Sequence, residues 1–325
     1  MRIIQELPIE ILRHLYHSFL GRREVRAQMK QYLNSHKRNI AGDEYAVTLH
    51  NHSCDGKKQT IEEIVRGAAS QGASVVGITD HNSDEPFRQQ TGNKILKQYN
   101  FKGKIVYALK GMECNCISED NEKIMDLMFI GYKDTIASGM NLNPVLELAH
   151  RNRALIGITS PLNEPFFGPN EEEMEKLLER GIVDYVEILN SSKGAPLFHN
   201  DALATIMLKE YNNFALAGKK VAGIYVSDSH VKKHVMGAFF GIKKADFRFL
   251  EDETAKQNES CSERLVEGLR TAFEKETVTN YGGYQKFSEL LLNADVFESF
   301  MNQAAKTWKD YFRLRFSKYR DKTRA

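Results

Sequence analysis

Short apolar runs recur along the chain from residue 43 and alternate with segments of helical periodicity. The runs are rich in β-branched residues and almost continuously apolar, as in strands that are buried on both faces. Apolar residues at helical spacing separate most of these runs. We predict strands at 45–49, 74–79, 104–109, 126–132, 154–159, 184–189, 221–226 and 237–242, and helices at 61–71, 144–152, 171–180 and 203–217.

The alternation of strands and helices predicts an α/β fold. Strands joined through helices form a parallel sheet with right-handed crossovers, and seven or eight such units favour a closed barrel over an open sheet. Three regions follow: an N-terminal helical extension over 1–42, a barrel domain over 43–280 and a basic, aromatic helical tail over 281–325. Within the barrel domain, 251–262 is predicted as a surface loop and 264–276 as a helix.

Composition is that of a globular protein, with 42% hydrophobic and 27% charged residues. No run of about 18 apolar residues occurs, so we expect neither a membrane anchor nor a secretory signal. Four irregularly spaced cysteines are too few for a disulfide framework in a chain of 325 residues. These features predict a cytoplasmic protein.

Charge is distributed unevenly, although the net charge is only +2. Residues 1–39 carry +5 and residues 306–325 carry +6, which leaves an acidic body. In the tail, Trp308, Phe312 and Phe316 recur near every fourth residue between lysines and arginines. Such a helix can dock on the acidic body, which we favour, or bind single-stranded nucleic acid by stacking. Nucleic acid therefore remains a possible partner through the basic termini.

Histidines and carboxylates follow several predicted strands directly. In a parallel barrel, the carboxyl ends of the strands meet at one mouth, where catalytic groups gather. Residues two apart on a strand point to the same side, so both histidines of a His-x-His pair can reach one metal ion. Histidine together with carboxylate suits Mn²⁺, Fe²⁺ or Zn²⁺. The strand ends are His50-Asn51-His52, Thr79-Asp80-His81-Asn82, Gly111-Met112-Glu113 and Ser227-Asp228-Ser229-His230.

These motifs, in this order, resemble those of the polymerase and histidinol phosphatase (PHP) superfamily of metal-dependent phosphoesterases. The resemblance covers roughly residues 43–280 and includes the helix at 265–270. It implies a distorted (β/α)7 barrel with two or three divalent transition-metal ions at its mouth. It also implies that Asp80 orients a ligand or a bound water, and that the metal ligands are His50, His52, Asp55, His81, Glu113, Asp228 and His230.

Two positions depart from the family pattern. Asp126 stands where the family usually has a histidine near the fourth strand, and we expect it to serve as an oxygen ligand instead. Ser160 replaces the histidine of the family's His-Pro pair after the fifth strand, and neutral serine is a poor ligand. These departures predict that one metal position is weak or empty and that the site is binuclear.

The resemblance implies hydrolysis of a small phosphomonoester or a nucleotide by a metal-bound hydroxide, with Asp80, His81 and Glu113 as the catalytic residues. Neither a P-loop nor a GxGxxG motif occurs, so the metal ions must handle the phosphate, and cationic side chains must hold its peripheral oxygens. Two alternatives remain open: a nuclease acting on nucleic-acid ends, and a degenerate, non-hydrolytic module that senses metal or nucleotide. Candidate substrate contacts are Lys193, Arg151, Arg153, Asn190 and His199.

Overall fold

The computed structural model describes most of the predicted barrel domain. The described residues are 40–53, 59–119, 123–162, 168–191, 201–214, 219–230, 232, 235–251 and 259–282. Residues 1–39 of the predicted N-terminal extension and residues 283–325 of the predicted tail lie outside them. Within the described residues, no helix combines the length and the apolar character needed to cross a membrane.

The described residues form one mixed sheet with helices packed on its outer side. Its strands are β1 (Glu44–Thr48), β2 (Val75–Ile78), β3 (Leu96–Phe101), β4 (Lys104–Ile117), β5 (Ile124–Ile130), β6 (Leu155–Ile158), β7 (Tyr185–Asn190), β8 (Ala222–Val226), β9 (Ala238–Lys243) and β10 (Thr279–Gly282). The helices are α1 (Ile61–Ser70), α2 (Glu85–Thr91), α3 (Leu142–Arg151), α4 (Glu171–Glu179), α5 (Asp201–Phe214) and α6 (Glu259–Glu274), with a 3₁₀ helix at Lys244–Leu250.

Only four of the nine strand pairings among the described residues are parallel, so the expectation of a parallel sheet was wrong. The strand order is β10-β9-β1-β2-β4-β5-β6-β7-β8, and β3 pairs with β4 outside this path. Strand β5 runs antiparallel between β4 and β6, and β9 runs antiparallel to β1. The reason is local: only 118–123 separate β4 from β5, which is too short for a helical crossover and long enough for a hairpin.

The sheet curves into a nearly closed barrel, as predicted. Its end strands β8 and β10 are joined by one side chain, because Asn280 accepts a hydrogen bond from the Tyr225 N–H at 2.9 Å and donates to the Gly223 oxygen at 2.8 Å. At the other end of β8, Ser229 forms a parallel bridge to Asn51 beyond β1. Amide and backbone hydrogen bonds therefore close the gap that regular strand pairing leaves.

Three large apolar cores and one small cluster, formed by Ala46, Phe239 and Tyr281, pack the described part of the barrel. The interior core joins side chains of the strands to Phe247 of the 3₁₀ helix and to Leu265 and Phe273 of α6, so these helices cover one end of the barrel. Two outer cores lie beneath the helices, one under α1 and the other under α3 and α4. Helix α6 begins at Glu259, so the predicted surface loop at 251–262 ends earlier than expected.

Local sequence signals explain where two outer helices begin. Thr60 accepts a hydrogen bond from the Glu63 N–H, and the Glu63 carboxylate accepts one in return from the Thr60 N–H. Asn170 and Glu173 form the same reciprocal pair at the start of α4. Each pair satisfies amide groups that a helix start leaves without partners, so the helices begin directly after the preceding loops.

Glu44 is buried at the start of β1 and connects three strands. Its carboxylate accepts hydrogen bonds from Tyr281 and Thr279 and lies 3.1 Å from the Lys243 Nζ. Burial raises the pKa of Glu44, but the contacts with Tyr281, Lys243 and Thr279 outweigh burial and hold the pKa below its ordinary value of 4.5. The ionised form of Glu44 therefore stabilises the fold.

We predict that Glu44→Gln reduces the acid sensitivity of the barrel. A carboxyl group with a lowered folded-state pKa stabilises the fold above its unfolded pKa, and this stabilisation is lost as pH falls through the folded value. Below about pH 4.5, the free energy of unfolding should fall more steeply for the wild type than for the variant. Urea unfolding over a pH series measures both slopes, and parallel curves would contradict the assignment.

We predict that Asn280→Ala destabilises the barrel by about 2 kcal/mol, because it leaves the Tyr225 N–H and the Gly223 oxygen without their partner and each such loss costs about 1–3 kcal/mol. The control is Asn100→Ala, which removes a 2.9 Å hydrogen bond from the Gly103 N–H in an exposed turn. That change should cost no more than about 0.5 kcal/mol. Urea unfolding gives both values, and equal losses would show that Asn280 does not close the barrel.

Candidate metal centre

Four histidines of the described chain meet at the carboxyl ends of the parallel strands. His50 and His52 follow β1, His81 follows β2 and His230 follows β8. The His52 ring lies between the His81 and His230 rings, with its centroid 4.4 Å from each. The Nε2 atoms of His50 and His52 are 3.0 Å apart. The imidazoles therefore converge on one small volume at the barrel mouth.

Two carboxylates join the histidines. Glu113 Oε2 lies 3.0 Å from His81 Nδ1, 3.2 Å from His50 Nε2 and 3.5 Å from His52 Nε2. Asp228 Oδ1 lies 3.1 Å from His52 Nε2 and 3.7 Å from His230 Nδ1. These six side chains are called the mouth cluster below: His50, His52, His81, Glu113, Asp228 and His230.

The mouth cluster contains two sets of possible ligand atoms. One set is His52, His81 and His230, and the other is His50, His52 and Glu113; within each, the ligand atoms all lie within 4.8 Å of one another. Imidazole nitrogen with carboxylate oxygen is a donor set that suits Mn, Fe or Zn. The residues present therefore fit the divalent metal ions that the motifs imply, and His52 belongs to both sets.

Charge compensation shapes this site. Burial lowers the pKa of His50, but Glu187, Asp228 and Glu113 outweigh burial and hold that pKa well above 6.5. Burial raises the pKa of Glu113, but His50 and His81 outweigh burial and hold that pKa well below 4.5. Negative carboxylates and positive charge thus stabilise each other at the mouth, which is the balance a bound cation would also satisfy.

Backbone pairing positions the two histidines after β1. The Thr79 N–H donates to the Asn51 oxygen at 2.8 Å, and the His52 N–H donates to the Ser229 oxygen at 2.9 Å. The segment is thereby held between the ends of β2 and β8. Gly77 permits the close crossing, because a Cβ there would lie 2.2 Å from the Leu49 oxygen.

A second set of hydrogen bonds positions His81 beside Glu113, which form a parallel bridge. The Asn82 N–H donates to the Glu113 oxygen at 2.8 Å, and the Asn82 side-chain oxygen accepts from the Asn115 N–H at 2.8 Å. Asn82 has φ of 58°, a left-handed conformation that asparagine adopts more readily than most residues. The turn after β2 therefore lies directly along β4.

Asp80 lies next to the mouth cluster and outside both ligand sets. Its two carboxylate oxygens accept hydrogen bonds from the N–H and the hydroxyl of Ser53, the residue after His52. Asn190 also has a structural partner, because its amide donates to Asp228 Oδ2 at 2.9 Å. Asp80 thus holds the residue next to His52, and Asn190 holds a member of the mouth cluster.

Two predicted positions near the fourth and fifth strands behave differently from the histidines of the cluster. Asp126 lies on β5 opposite Asn115 and accepts a hydrogen bond from the Asn115 side-chain amide. It does not belong to either ligand set. Ser160 is buried after β6 with φ of 42°. The role of Asp126 as a metal ligand stays a prediction.

The placement of Arg151 and Arg153 as phosphate contacts at the mouth was wrong. Both precede β6, at the end of α3, whereas the mouth cluster follows the carboxyl ends of the parallel strands. The Arg153 backbone oxygen instead accepts a hydrogen bond from Arg270 of α6, which covers the opposite end of the barrel. Three other predicted site residues lie outside the described residues: Asp55, Lys193 and His199.

Glu187 is the site residue that the sequence analysis missed. It is buried on β7, and its Oε1 lies 2.9 Å from His50 Nδ1. A carboxylate that holds the second nitrogen of a metal-binding histidine fixes the ring's orientation and tautomer. The available signal was a glutamate in the middle of an otherwise apolar strand, where an unpaired charge is costly.

Neither a protein-family model nor a curated protein matches the chain. Several solved structures are similar. One is a two-domain protein from Bacteroides vulgatus that contains a predicted PHP-like metal-dependent phosphoesterase, with 14% identity, a TM-score of 0.48, and coverage of 76% of this chain and 68% of that one. Another is PsfC from Pseudomonas syringae, with 12% identity, a TM-score of 0.46, and coverage of 70% and 99%.

The chain is also similar to the lesion-specific endonuclease PfuEndoQ from Pyrococcus furiosus. The identity is 14% and the TM-score 0.40, over 61% of this chain and 52% of the endonuclease. At these TM-scores the structural matches carry no assignment on their own. The resemblance to the PHP phosphoesterases rests on four ordered motifs, whose residues His50, His52, His81, Glu113, Asp228 and His230 lie together at the mouth of an α/β barrel.

Proposed function

We propose that this protein hydrolyses a phosphoester with two or three divalent Mn, Fe or Zn ions held by the mouth cluster. The observation that carries the proposal is the pair of ligand sets that share His52, one with His81 and His230 and the other with His50 and Glu113. When bound, such ions lower the pKa of coordinated water and polarise phosphoryl oxygens. The chain supplies the ligands, their orientation and a mouth where a substrate can enter.

The residues have distinct roles in this proposal. Glu113 would contribute a charged ligand close to both sets, because its Oε2 lies within 3.5 Å of nitrogens from both. Glu187 holds Nδ1 of His50, so the Nε2 atom faces the mouth cluster. Asp80 positions the segment that carries His52 through its two hydrogen bonds to Ser53. Asn190 holds Asp228.

The proposed substrate is a small phosphomonoester or a mononucleotide. A nuclease acting on nucleic-acid ends is the second candidate, favoured by the +6 charge and the interleaved aromatics of residues 306–325. A non-hydrolytic module is the third, favoured by Ser160 in place of a ligand histidine. Assays with p-nitrophenyl phosphate, mononucleotides and end-labelled oligonucleotides separate the three.

We predict that the purified protein binds about two equivalents of Mn, Fe or Zn and loses phosphoesterase activity on treatment with a chelator.

We predict that Glu113→Gln reduces turnover by well over tenfold, because it removes the negative charge of a proposed ligand that lies close to three histidines. Elemental analysis and assays after reconstitution measure both effects. Asp126→Ala is the comparison, and should change metal affinity much less because Asp126 lies outside both ligand sets.

Distinct outcomes separate the proposals. A well-folded protein that holds at most a fraction of an equivalent after reconstitution contradicts the metal centre. Stoichiometric metal without turnover of any tested phosphoester supports the non-hydrolytic module. Cleavage of oligonucleotides in preference to mononucleotides supports the nuclease. An Asp126→Ala variant as impaired as Glu113→Gln would restore Asp126 as a ligand.

We predict that Glu187→Gln weakens metal binding by about tenfold while leaving the fold intact, because the amide keeps the shape but loses the charge that orients His50. The control is Glu251→Gln, because the exposed Glu251 carboxylate accepts a hydrogen bond from the Tyr45 hydroxyl and is not part of the mouth cluster. Competition with a chromogenic chelator gives the affinity, and circular dichroism reports the fold. Equal affinities for the two variants would limit Glu187 to a packing role.

A further inference from the structure

A fully buried lysine lies on β4, three residues before Glu113. Lys110 has no exposed surface, and its ammonium donates to the Lys133 oxygen at 2.9 Å. The same Nζ lies 3.4 Å from Asp84 Oδ2 and 4.4 Å from the centroid of the Tyr132 ring. Lys110 thereby contacts the segments that follow β2 and β5.

Lys110 points away from the barrel interior. Its neighbours on alternate positions, Val106 and Ala108, pack in the outer core under α1, whereas Tyr107 and Leu109 face the interior core. The Asp84–Lys110 pair therefore lies behind the sheet, and the Glu113 carboxylate lies in front of it. The backbone of β4 and of the turn after β2 connects the pair to the mouth.

Stability alone does not account for this pair. Burial lowers the pKa of Lys110, although the Asp84 carboxylate opposes that shift. Replacing a buried ion pair by apolar side chains of similar size is often neutral or stabilising. Arg88 also bonds Asp84, with its Nε 2.8 Å from Oδ1, so the carboxylate has two cationic partners on different elements.

The location of the pair gives it a positional role. Asp84 follows His81 by three residues, and between them the Asn82 N–H donates to the Glu113 oxygen at 2.8 Å. The turn from Asp80 to Asp84 is thus attached to β4 at two levels, by Asn82 close to Glu113 and by Asp84 at Lys110. Without the second attachment, the turn is joined to β4 by backbone bonds close to Glu113, where the Asn82 N–H donates to the Glu113 oxygen and the Glu113 N–H donates to the Asp80 oxygen at 3.3 Å.

We propose that the Asp84–Lys110 ion pair is a positioning device that holds the His81 ring against Glu113, where His81 Nδ1 and Glu113 Oε2 are 3.0 Å apart. The pair fixes the spacing between ligands supplied by two different strands. This inference rests on the proposed metal-dependent function, because it assigns the pair a role in metal affinity.

The test compares Asp84→Asn, Lys110→Met and the double variant with the wild type. In metal-free protein, amide hydrogen exchange of the segment 79–84 should accelerate by about tenfold or more in all three variants, because the Asn82 N–H loses its support. Titration with Mn²⁺, followed by the electron paramagnetic resonance signal of the free ion, should show binding weakened by about tenfold.

The double variant separates positioning from stability. It removes the buried Lys110 charge that Asp84→Asn leaves without its carboxylate, so its thermal midpoint should recover in part relative to Asp84→Asn. Exchange in 79–84 should stay fast and Mn²⁺ binding should stay weak. If the exchange rate of 79–84 and the Mn²⁺ affinity return to wild-type values together with the thermal midpoint, or never change, the pair has only a structural role. Asp84→Asn gives the answer if Lys110→Met does not fold.

A matched control lies at the opposite end of the barrel. Asp184 is also a buried carboxylate with two cationic partners, Lys219 at 3.1 Å and Arg270 at 3.2 Å. Asp184→Asn should lower the thermal midpoint but leave Mn²⁺ affinity and exchange in 79–84 unchanged. Equal effects of Asp184→Asn on all three readouts would overturn the positioning role. A wild type that binds no Mn²⁺ contradicts the proposed function instead, and the exchange rates still test the positioning.

Discussion

The mutual compensation of buried charges at the barrel mouth is the constraint on which the site depends. Ionisable side chains leave water only where opposite charges or a bound cation replace the lost hydration. His50 has no exposed surface, yet Glu187, Asp228 and Glu113 surround it with negative charge. Apolar side chains could stabilise the fold equally well, so this group of charges favours the proposed metal site over a purely structural role.

The barrel makes this concentration of charge possible because it joins distant segments at one end. His50 and His52 follow β1 and Glu113 lies on β4, while Asp228 and His230 follow β8, more than 100 residues beyond Glu113 in the chain. Each donor sits directly after a buried strand, or within one, where backbone pairing limits its movement. The loops beyond can vary without disturbing the ligands, which is how one barrel fold accommodates many substrates.

Much of this arrangement was predictable from the sequence, because buried strands and strand-end motifs leave local patterns. Seven of the eight predicted strands appear with ends displaced by at most two residues, and the predicted strand at 104–109 extends to Ile117.

The antiparallel course of β5 and the edge strand β3 were missed, because pairing direction is a long-range property. Glu187 and Lys110 were missed for a related reason: each sits within a strand and finds its partner on a different element. Arg151 and Arg153 were assigned to the wrong end of β6, because their closeness to a strand in sequence was taken as closeness to the mouth.

The sharing of His52 between two ligand sets bears on how such a site can decay over evolutionary time. If the sets were separate, either could be lost while the other survived as a working mononuclear site. Because His52 contributes to both, one substitution there would weaken both at once, whereas a change at His230 or His50 would affect one directly. Lineages that retain the proposed metal site should therefore tolerate substitution unevenly among its ligands, least of all at His52.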